Sequence, residues 1–160
     1  MGSGDQIGMD FDDVDLTPVE TPAPPGPPEW VRWFRQMDAR LTTFTTETIP
    51  GLPQPIWSEP AMDRIEAVFF DFLPDEASVT DPANADIADQ FVRWTGECFV
   101  RASGWQWCTV PDARARGGLY RDFGPAVRGY DDDPDPLFIV PLLKAATHND
   151  FGEIRYRFGG

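Results

Sequence analysis

The stretch DPANADIADQFVRWTGECFVRASGWQWCTV, residues 81–110, predicts a long helix, a glycine stop and a buried strand. Asp81 is a suitable N-cap, and Pro82 suits the first helical position, where a missing N–H leaves no donor unsatisfied. Apolar side chains then recur every three or four residues and line one helix face: Ile87, Phe91, Trp94, Cys98 and Ala102. Gly104 is the expected left-handed C-cap, and residues 105–109 carry the large side chains that favour a strand. Because this is the densest apolar segment of the chain, we expect it to form the core.

Two further helices are predicted ahead of this segment. Residues 28–48 carry an apolar stripe at helical spacing, and a second stripe runs through residues 58–72 behind the capping residue Ser58. The proline-broken connector between them, residues 49–57, cannot continue a helix. Residues 74–80 read as a short acidic link to the central helix.

Short strands are predicted after the central segment. Residues 119–123 and 126–130 are strand candidates, and residues 153–158 alternate in the manner of a final edge strand. The continuously apolar residues 136–146 predict either a buried helix or a strand that runs into a helix at Pro141, since periodicity does not distinguish the two. The fold class predicted is α+β, with N-terminal helices packed on a small antiparallel sheet.

The first 28 residues differ in composition from the rest of the chain. They hold six acidic residues, no Lys or Arg, and a run of prolines, a composition typical of a disordered acidic tail. We therefore predict a tail over residues 1–28 and a single α+β domain over residues 29–160. A tail that orders on a basic partner is the alternative interpretation.

The net charge of the 160-residue chain is −14. Six of these excess charges lie in residues 1–28, so the remaining chain carries −8 by itself. This balance argues against binding nucleic acid or an anionic membrane, because both need basic patches, and it favours a basic protein partner. With no apolar run long enough to span a membrane and no secretory signal, we expect a cytoplasmic protein. Cys98 and Cys108 are then expected to be reduced rather than paired.

The central helix also contains a glycine and a glutamate in its middle. Gly96 costs about 1 kcal/mol relative to Ala in a helix, which indicates close packing or a bend at this point. Glu97 has Arg93 four residues before it and Arg101 four residues after it, so we expect helix ion pairs rather than a catalytic acid.

Catalytic and metal sites have little support in the sequence. His148 is the only histidine, and no nucleophile motif or phosphate-binding loop accompanies it. One histidine and two cysteines ten residues apart do not form a zinc-ligand pattern. We predict no enzyme activity, no metal and no cofactor, with a small hydrolase using His148 kept as an alternative.

Acidic and aromatic residues are the candidates for partner binding. The acidic loop Asp131, Asp132, Asp133 and Asp135 lacks the pattern of a calcium-binding loop, and it is either a solvated surface or a docking site for Lys and Arg of another protein. Trp33 falls off the apolar stripe of its helix, and Trp57 lies in the connector. Both tryptophans are therefore candidate interface anchors.

Three segments resemble a group of small actinobacterial proteins: ADQFVRWTGECFVRASGWQWCTV, GLYRDFGPAVRGYDDD and DPLFIVPLLKAATH. The resemblance covers roughly residues 81–148, and the matching residues are Gly96, Glu97, Gly104, Trp105, Trp107 and Pro136. Some members of this group are similar to immunity proteins of polymorphic toxin systems, which neutralise a toxin by binding it. The resemblance implies an architecture and a binding role, and no catalytic residue carries over.

The acidic charge and the resemblance together lead us to expect a non-enzymatic immunity protein that binds and occludes a basic partner protein, and the resemblance implies that this partner is a bacterial toxin. A secretion chaperone or adaptor is the alternative that also needs no catalytic residue.

Overall fold

The computed structural model describes residues 23–116, 118–129, 135–149, 151, 152 and 154. The elements in chain order are α1 Pro28–Arg35, α2 Met37–Thr43, a π-helical turn Phe44–Thr48, α3 Glu59–Phe72, α4 Glu76–Thr80, a 3-10 turn Pro82–Asn84, α5 Ala85–Ser103, β1 Gln106–Thr109, α6 Ala113–Arg116, β2 Pro125–Arg128, β3 Leu137–Phe138 and α7 Ile139–Asn149.

The three strands form one antiparallel sheet in the order β1-β2-β3. Trp107 of β1 pairs with Val127 of β2, which pairs in turn with Leu137 of β3. The predicted α+β fold, with helices and a small antiparallel sheet, is confirmed.

Helix α5 is the centre of the core, as the sequence predicts. Its residues 90–99 are all buried, and Gly104 ends it in the left-handed conformation with φ 70°. Asp81 accepts the backbone N–H of Ala83 at 2.9 Å, but it caps the 3-10 turn that precedes the α-helix rather than α5 itself. Aromatic rings pack around this helix, including those of Phe44, Phe69, Phe91, Trp94 and Phe151.

The N-terminal helical region is broken twice where one helix was predicted. Helix α1 ends before Gln36, and the last turn of the region, residues 44–48, is π-helical. Trp33 lies in the core with 6% of its surface exposed, on a face that it shares with Trp30 and Met37 at spacings of three and four residues. The prediction that Trp33 lies off the apolar face was therefore wrong, and the structure does not present it as an exposed anchor.

The packed region also begins earlier than residue 29. The indole Nε1 of Trp30 donates to the carbonyl oxygen of Pro24 at 3.0 Å. A Cβ at Gly26 would lie 2.5 Å from the Trp30 ring and 2.7 Å from the side chain of Thr109. Residues 24–28 of the predicted tail thus contact the folded domain, whereas residues 1–22 lie outside the described residues.

The link predicted over residues 74–80 contains helix α4, which Asp75 caps by accepting the N–H of Ser78 at 2.9 Å. The segment between β1 and β2 contains the single helical turn α6. Residues 136–146 form β3 and then α7, which begins two residues before the predicted Pro141. Of the predicted edge strand over residues 153–158, only Ile154 is described, and it is helical and buried.

The strand predicted over residues 119–123 is absent from the described structure. Tyr120 and Phe123 both contact the ring of Trp33, with centroid distances of 5.9 and 5.8 Å. Residues three apart point to opposite faces of an extended strand, so an irregular turn is needed to aim both rings at one neighbour.

Candidate functional site

A line of polar side chains runs along α5 on the side that faces α1, α2 and the sheet. We call it the polar seam, and its members are spaced by three or four residues apart from one adjacent pair: Asp86, Asp89, Gln90, Arg93, Glu97 and Arg101. Such spacing places side chains on one helix face. The seam begins at the exposed Asp86, which pairs with Arg40 of α2, and it passes through the interior to Arg101.

Asp89 is the most highly connected residue of the seam. Its Oδ1 accepts the indole N–H of Trp33 at 2.7 Å and the hydroxyl of Tyr120 at 2.5 Å. Its Oδ2 accepts Nε of Arg93 at 2.8 Å, and Nη1 of Arg93 donates to the Trp33 carbonyl at 2.7 Å. Arg93 is only 1% exposed, so its charge depends on this carboxylate for compensation. One carboxylate therefore ties α1, α5 and the loop before β2 together.

Tyr120 contributes to this network as a protonated donor. Burial, followed by the adjacent negative charge of Asp89, raises the pKa of the Tyr120 hydroxyl well above its ordinary value. The group therefore stays neutral at physiological pH, and its contacts indicate a structural role.

Glu97 connects α5 to the sheet. Its Oε2 accepts the indole N–H of Trp107 at 2.8 Å, and its Oε1 accepts Nε of Arg101 at 3.0 Å. Of the two ion pairs expected for Glu97, the described contacts contain the one with Arg101, whereas Arg93 pairs with Asp89. Glu97 is 9% exposed, so this carboxylate orients Arg101 from a nearly buried position.

The seam ends at an open cavity of about 200 Å³, which we call the Trp57 recess. The guanidinium carbon of Arg101 lies 4.5 Å from the centre of the Trp57 ring, an arrangement typical of a cation–π contact. Side chains from α2, the π-helical turn, the connector and α5 line the cavity: Asp38, Leu41, Thr42, Thr45, Ile56, Trp57 and Arg101. π-Helical turns occur often at functional sites, and this one supplies Thr45.

The structure separates the other residues that the sequence singled out. Of the acidic loop, Asp131, Asp132 and Asp133 lie outside the described residues, while Asp135 is exposed. His148 is exposed near the end of α7, where its Nε2 lies 3.5 Å from Oε2 of Glu76. Trp57 is the predicted partner-binding residue that lines the recess, whereas Trp33 and Asp135 are not part of its lining.

Sequence reasoning recognised only part of a second acidic region, the acidic link over residues 74–80. Residues 65–92 contain seven acidic residues and no Lys, Arg or His. Two of the seven point inward, since Asp89 anchors the seam and Oε2 of Glu66 accepts the backbone N–H of Phe151 at 2.9 Å. Four exposed carboxylates on consecutive elements remain apart from Asp86, and we call them the acidic band: Asp71, Asp75, Glu76 and Asp81. A charge count along the chain rather than a motif search would have found it.

Neither cysteine lines the Trp57 recess. Cys98 and Cys108 are both free thiols, and burial raises the pKa of each above its ordinary value. The described residues contain no group of three or more His, Cys, Asp or Glu side chains arranged to hold a metal ion. Among the described helices, none has both the length and the apolar character needed to cross a membrane.

The site is thus a Trp and Arg pair at an open cavity that also has the exposed carboxylate of Asp38 in its lining. Such an arrangement is suited to contact with another macromolecule, because Trp and Arg are enriched among the residues that dominate binding energy. Comparisons of the chain with family models, with curated proteins and with solved structures give no match.

Proposed function

We propose that this protein is a non-enzymatic inhibitor of the immunity-protein type, which binds a basic bacterial toxin and covers its positively charged active-site cleft. The observation that carries this proposal is the acidic band. Within the described part of the chain, Asp71, Asp75 and Asp81 are exposed and have no Lys or Arg partner within 4 Å. Their charges are therefore available to another molecule.

An acidic surface of this kind acts mainly on the rate and specificity of association. Complementary charge steers a basic partner toward the surface and excludes acidic competitors. Tight binding then needs desolvated anchors near the middle of the interface. We take the half-buried Trp57, held under Arg101 beside an open cavity, as the candidate anchor.

The proposal is tested with the products of the genes adjacent to its own, expressed one at a time. A basic toxin among them should arrest growth alone, should be neutralised by co-expression of this protein, and should lose its activity in the purified complex. The matched control is a variant in which the acidic band is replaced by Asn and Gln, which should associate more slowly.

A secretion chaperone or adaptor would give a different result in the same experiment, since it would bind a neighbouring product without abolishing that product's activity. Binding without inhibition, or no complex with any basic neighbour, would overturn the inhibitor proposal. Turnover of a substrate by this protein itself, lost in His148→Ala, would do the same in favour of the hydrolase alternative.

A further inference from the structure

We propose that the Trp57 recess receives a single Lys or Arg side chain of the basic partner, with the stem against Trp57 and the charged head at Asp38. The identity of the partner rests on the proposed function above, whereas the chemistry of the side chain rests on the recess itself.

The size of the recess suits one side chain. Its volume of about 200 Å³ is more than ten times the roughly 10–15 Å³ that a cavity needs to hold one water molecule. It is smaller than the pockets of about 300–1,000 Å³ that hold whole drug-sized ligands. The space therefore fits a protruding residue of a larger partner better than a free cofactor.

The floor of the recess is apolar. Leu41 is 7% exposed, and Ile56 and Trp57 are half-buried beside it. Lys and Arg side chains bury their methylene stems along such surfaces while their charged ends stay near water. The floor alone does not select a cation, because any aliphatic side chain would also pack there.

The charges at the recess provide the selection. Asp38 is exposed at the rim, and within the described part of the chain no Lys, Arg or His lies within 4 Å of its carboxylate. The charge of Arg101 is already matched, because its Nε donates to Glu97 at 3.0 Å and its guanidinium lies over Trp57. Two carboxylates against one guanidinium leave a net negative charge beside the cavity, which favours a cationic guest.

The hydroxyl of Thr45 adds an acceptor on the same side. Its hydrogen is directed to the backbone, since Oγ1 lies 3.1 Å from the Leu41 carbonyl and 3.4 Å from that of Thr42. A hydroxyl whose hydrogen is used still has lone pairs that accept. With Asp38, it supplies the oxygen atoms that an ammonium or guanidinium group requires.

The inference is tested on the isolated protein with four small probes: the N-acetyl amides of lysine, arginine, norleucine and glutamate. Norleucine keeps the aliphatic stem without a charge, and glutamate reverses the charge. We expect the lysine and arginine probes to shift the NMR signal of the Trp57 indole N–H. Their dissociation constants should be in the millimolar range, which corresponds to a binding free energy of about −4 kcal/mol. The norleucine probe should bind at least fivefold more weakly, and the glutamate probe should not shift the signal.

A pair of matched variants tests whether the Asp38 carboxylate causes the preference for cationic probes. Asp38→Asn should bind the lysine and norleucine probes equally, whereas Asp122→Asn, at an exposed aspartate that neither lines the recess nor belongs to the acidic band, should keep the fivefold preference. Equal binding of lysine and norleucine to the unmodified protein, a preference for glutamate, or no shift at Trp57 would each overturn the inference.

The partner, once identified, separates this inference from the proposed function. Replacement of Asp38 by Asn should weaken the complex about tenfold, which equals about 1.4 kcal/mol. A complex of unchanged affinity would refute the role of the recess and leave the inhibitor proposal standing. Selective binding of the cationic probes without any basic partner protein would refute the inhibitor proposal and leave the recess as a binding site.

Discussion

Trp107 lies so close to Gly96 that a Cβ at position 96 would be 2.0 Å from Cη2 of the indole ring. The same ring donates its N–H to Glu97, the next residue of α5, at 2.8 Å. Gly96, which lowers the helix propensity of α5, thus makes room for the Trp107 ring. Glu97 fixes the orientation of that ring through its hydrogen bond. Helix and sheet meet at this contact.

Replacing Gly96 with Ala should destabilise the domain. The added methyl overlaps the Trp107 ring, and overpacking of this kind costs about 1–3 kcal/mol, which exceeds or offsets the gain of about 1 kcal/mol in helix propensity. Thermal unfolding monitored by circular dichroism should show a lower Tm. In a Trp107→Phe background the same Gly96→Ala change should cost less than it does in the unmodified protein, because the smaller ring leaves space for the methyl group. An increase in Tm for Gly96→Ala alone would contradict the close packing.

Replacing Asp89 with Ala should be more damaging. It leaves the charge of Arg93 buried without its partner and removes the acceptor of Trp33 and Tyr120. Breaking a buried pair on one side costs about 3–5 kcal/mol. Chemical denaturation should show this loss, whereas Asp71→Ala, at an exposed site, should stay within about 0.5 kcal/mol of the unmodified protein. Similar values for the two variants would mean that the network does not stabilise the fold.

Alkaline pH should destabilise the protein through the buried hydroxyl of Tyr120. Its folded-state pKa is raised above the ordinary value of about 10, so the folded protein holds this proton more tightly than the unfolded chain does. The resulting stability is complete below pH 10 and decreases as the pH rises through the folded-state pKa. As the pH rises from 9 to 11, the free energy of unfolding of the Tyr120→Phe variant should therefore fall less than that of the unmodified protein. Parallel curves for the two proteins would contradict this assignment.

The parts of the fold that the sequence predicts correctly depend on local signals. Helix α5 and strand β1 have regular periodicity and a glycine between them, so their positions follow from residues 81–110 alone. The burial of Trp33 has a local signal too, since Trp30, Trp33 and Met37 recur at spacings of three and four and are all buried. The prediction placed Phe34 on the buried stripe instead, although Phe34 is only partly buried. The break of the helix at Gln36 has no such signal.

The candidate site illustrates the same limit. Trp57 could be recognised as an unusual residue of a connector, but its contact with Arg101 joins positions 44 residues apart. Glu97 was expected to pair with Arg101, and it does, yet its bond to Trp107 depends on how the sheet lies on the helix. A cavity formed from four separate elements has no signature in a single sequence.

The partner's association rate should depend on which acidic region is neutralised. Three variants are compared with the unmodified protein: deletion of residues 1–22, which hold all six acidic residues of the predicted tail, the loop variant with Asp131, Asp132, Asp133 and Asp135 replaced by Asn, and the band variant with Asp71, Asp75 and Asp81 replaced by Asn and Glu76 by Gln. The Asn substitutions at Asp75 and Asp81 keep a side-chain oxygen for the turns that these residues cap, since Asn and Asp are equally good N-caps.

We expect the loop and band variants to associate more slowly than the unmodified protein, and more slowly than the deletion variant. The sequence predicts a disordered tail, which would have to be ordered before its charges contribute. The sequence places the loop in the α+β domain, and the band lies on described helices and turns, so we expect their charges to act on the approaching partner at once. The differences should shrink with added salt, because the Debye length falls from about 10 Å at 0.1 M to about 3 Å at 1 M. Stopped-flow association rates at both salt concentrations measure this. If the loop variant associates as fast as the unmodified protein, the loop is a solvated surface, and if the band variant does so too, charge does not guide the encounter.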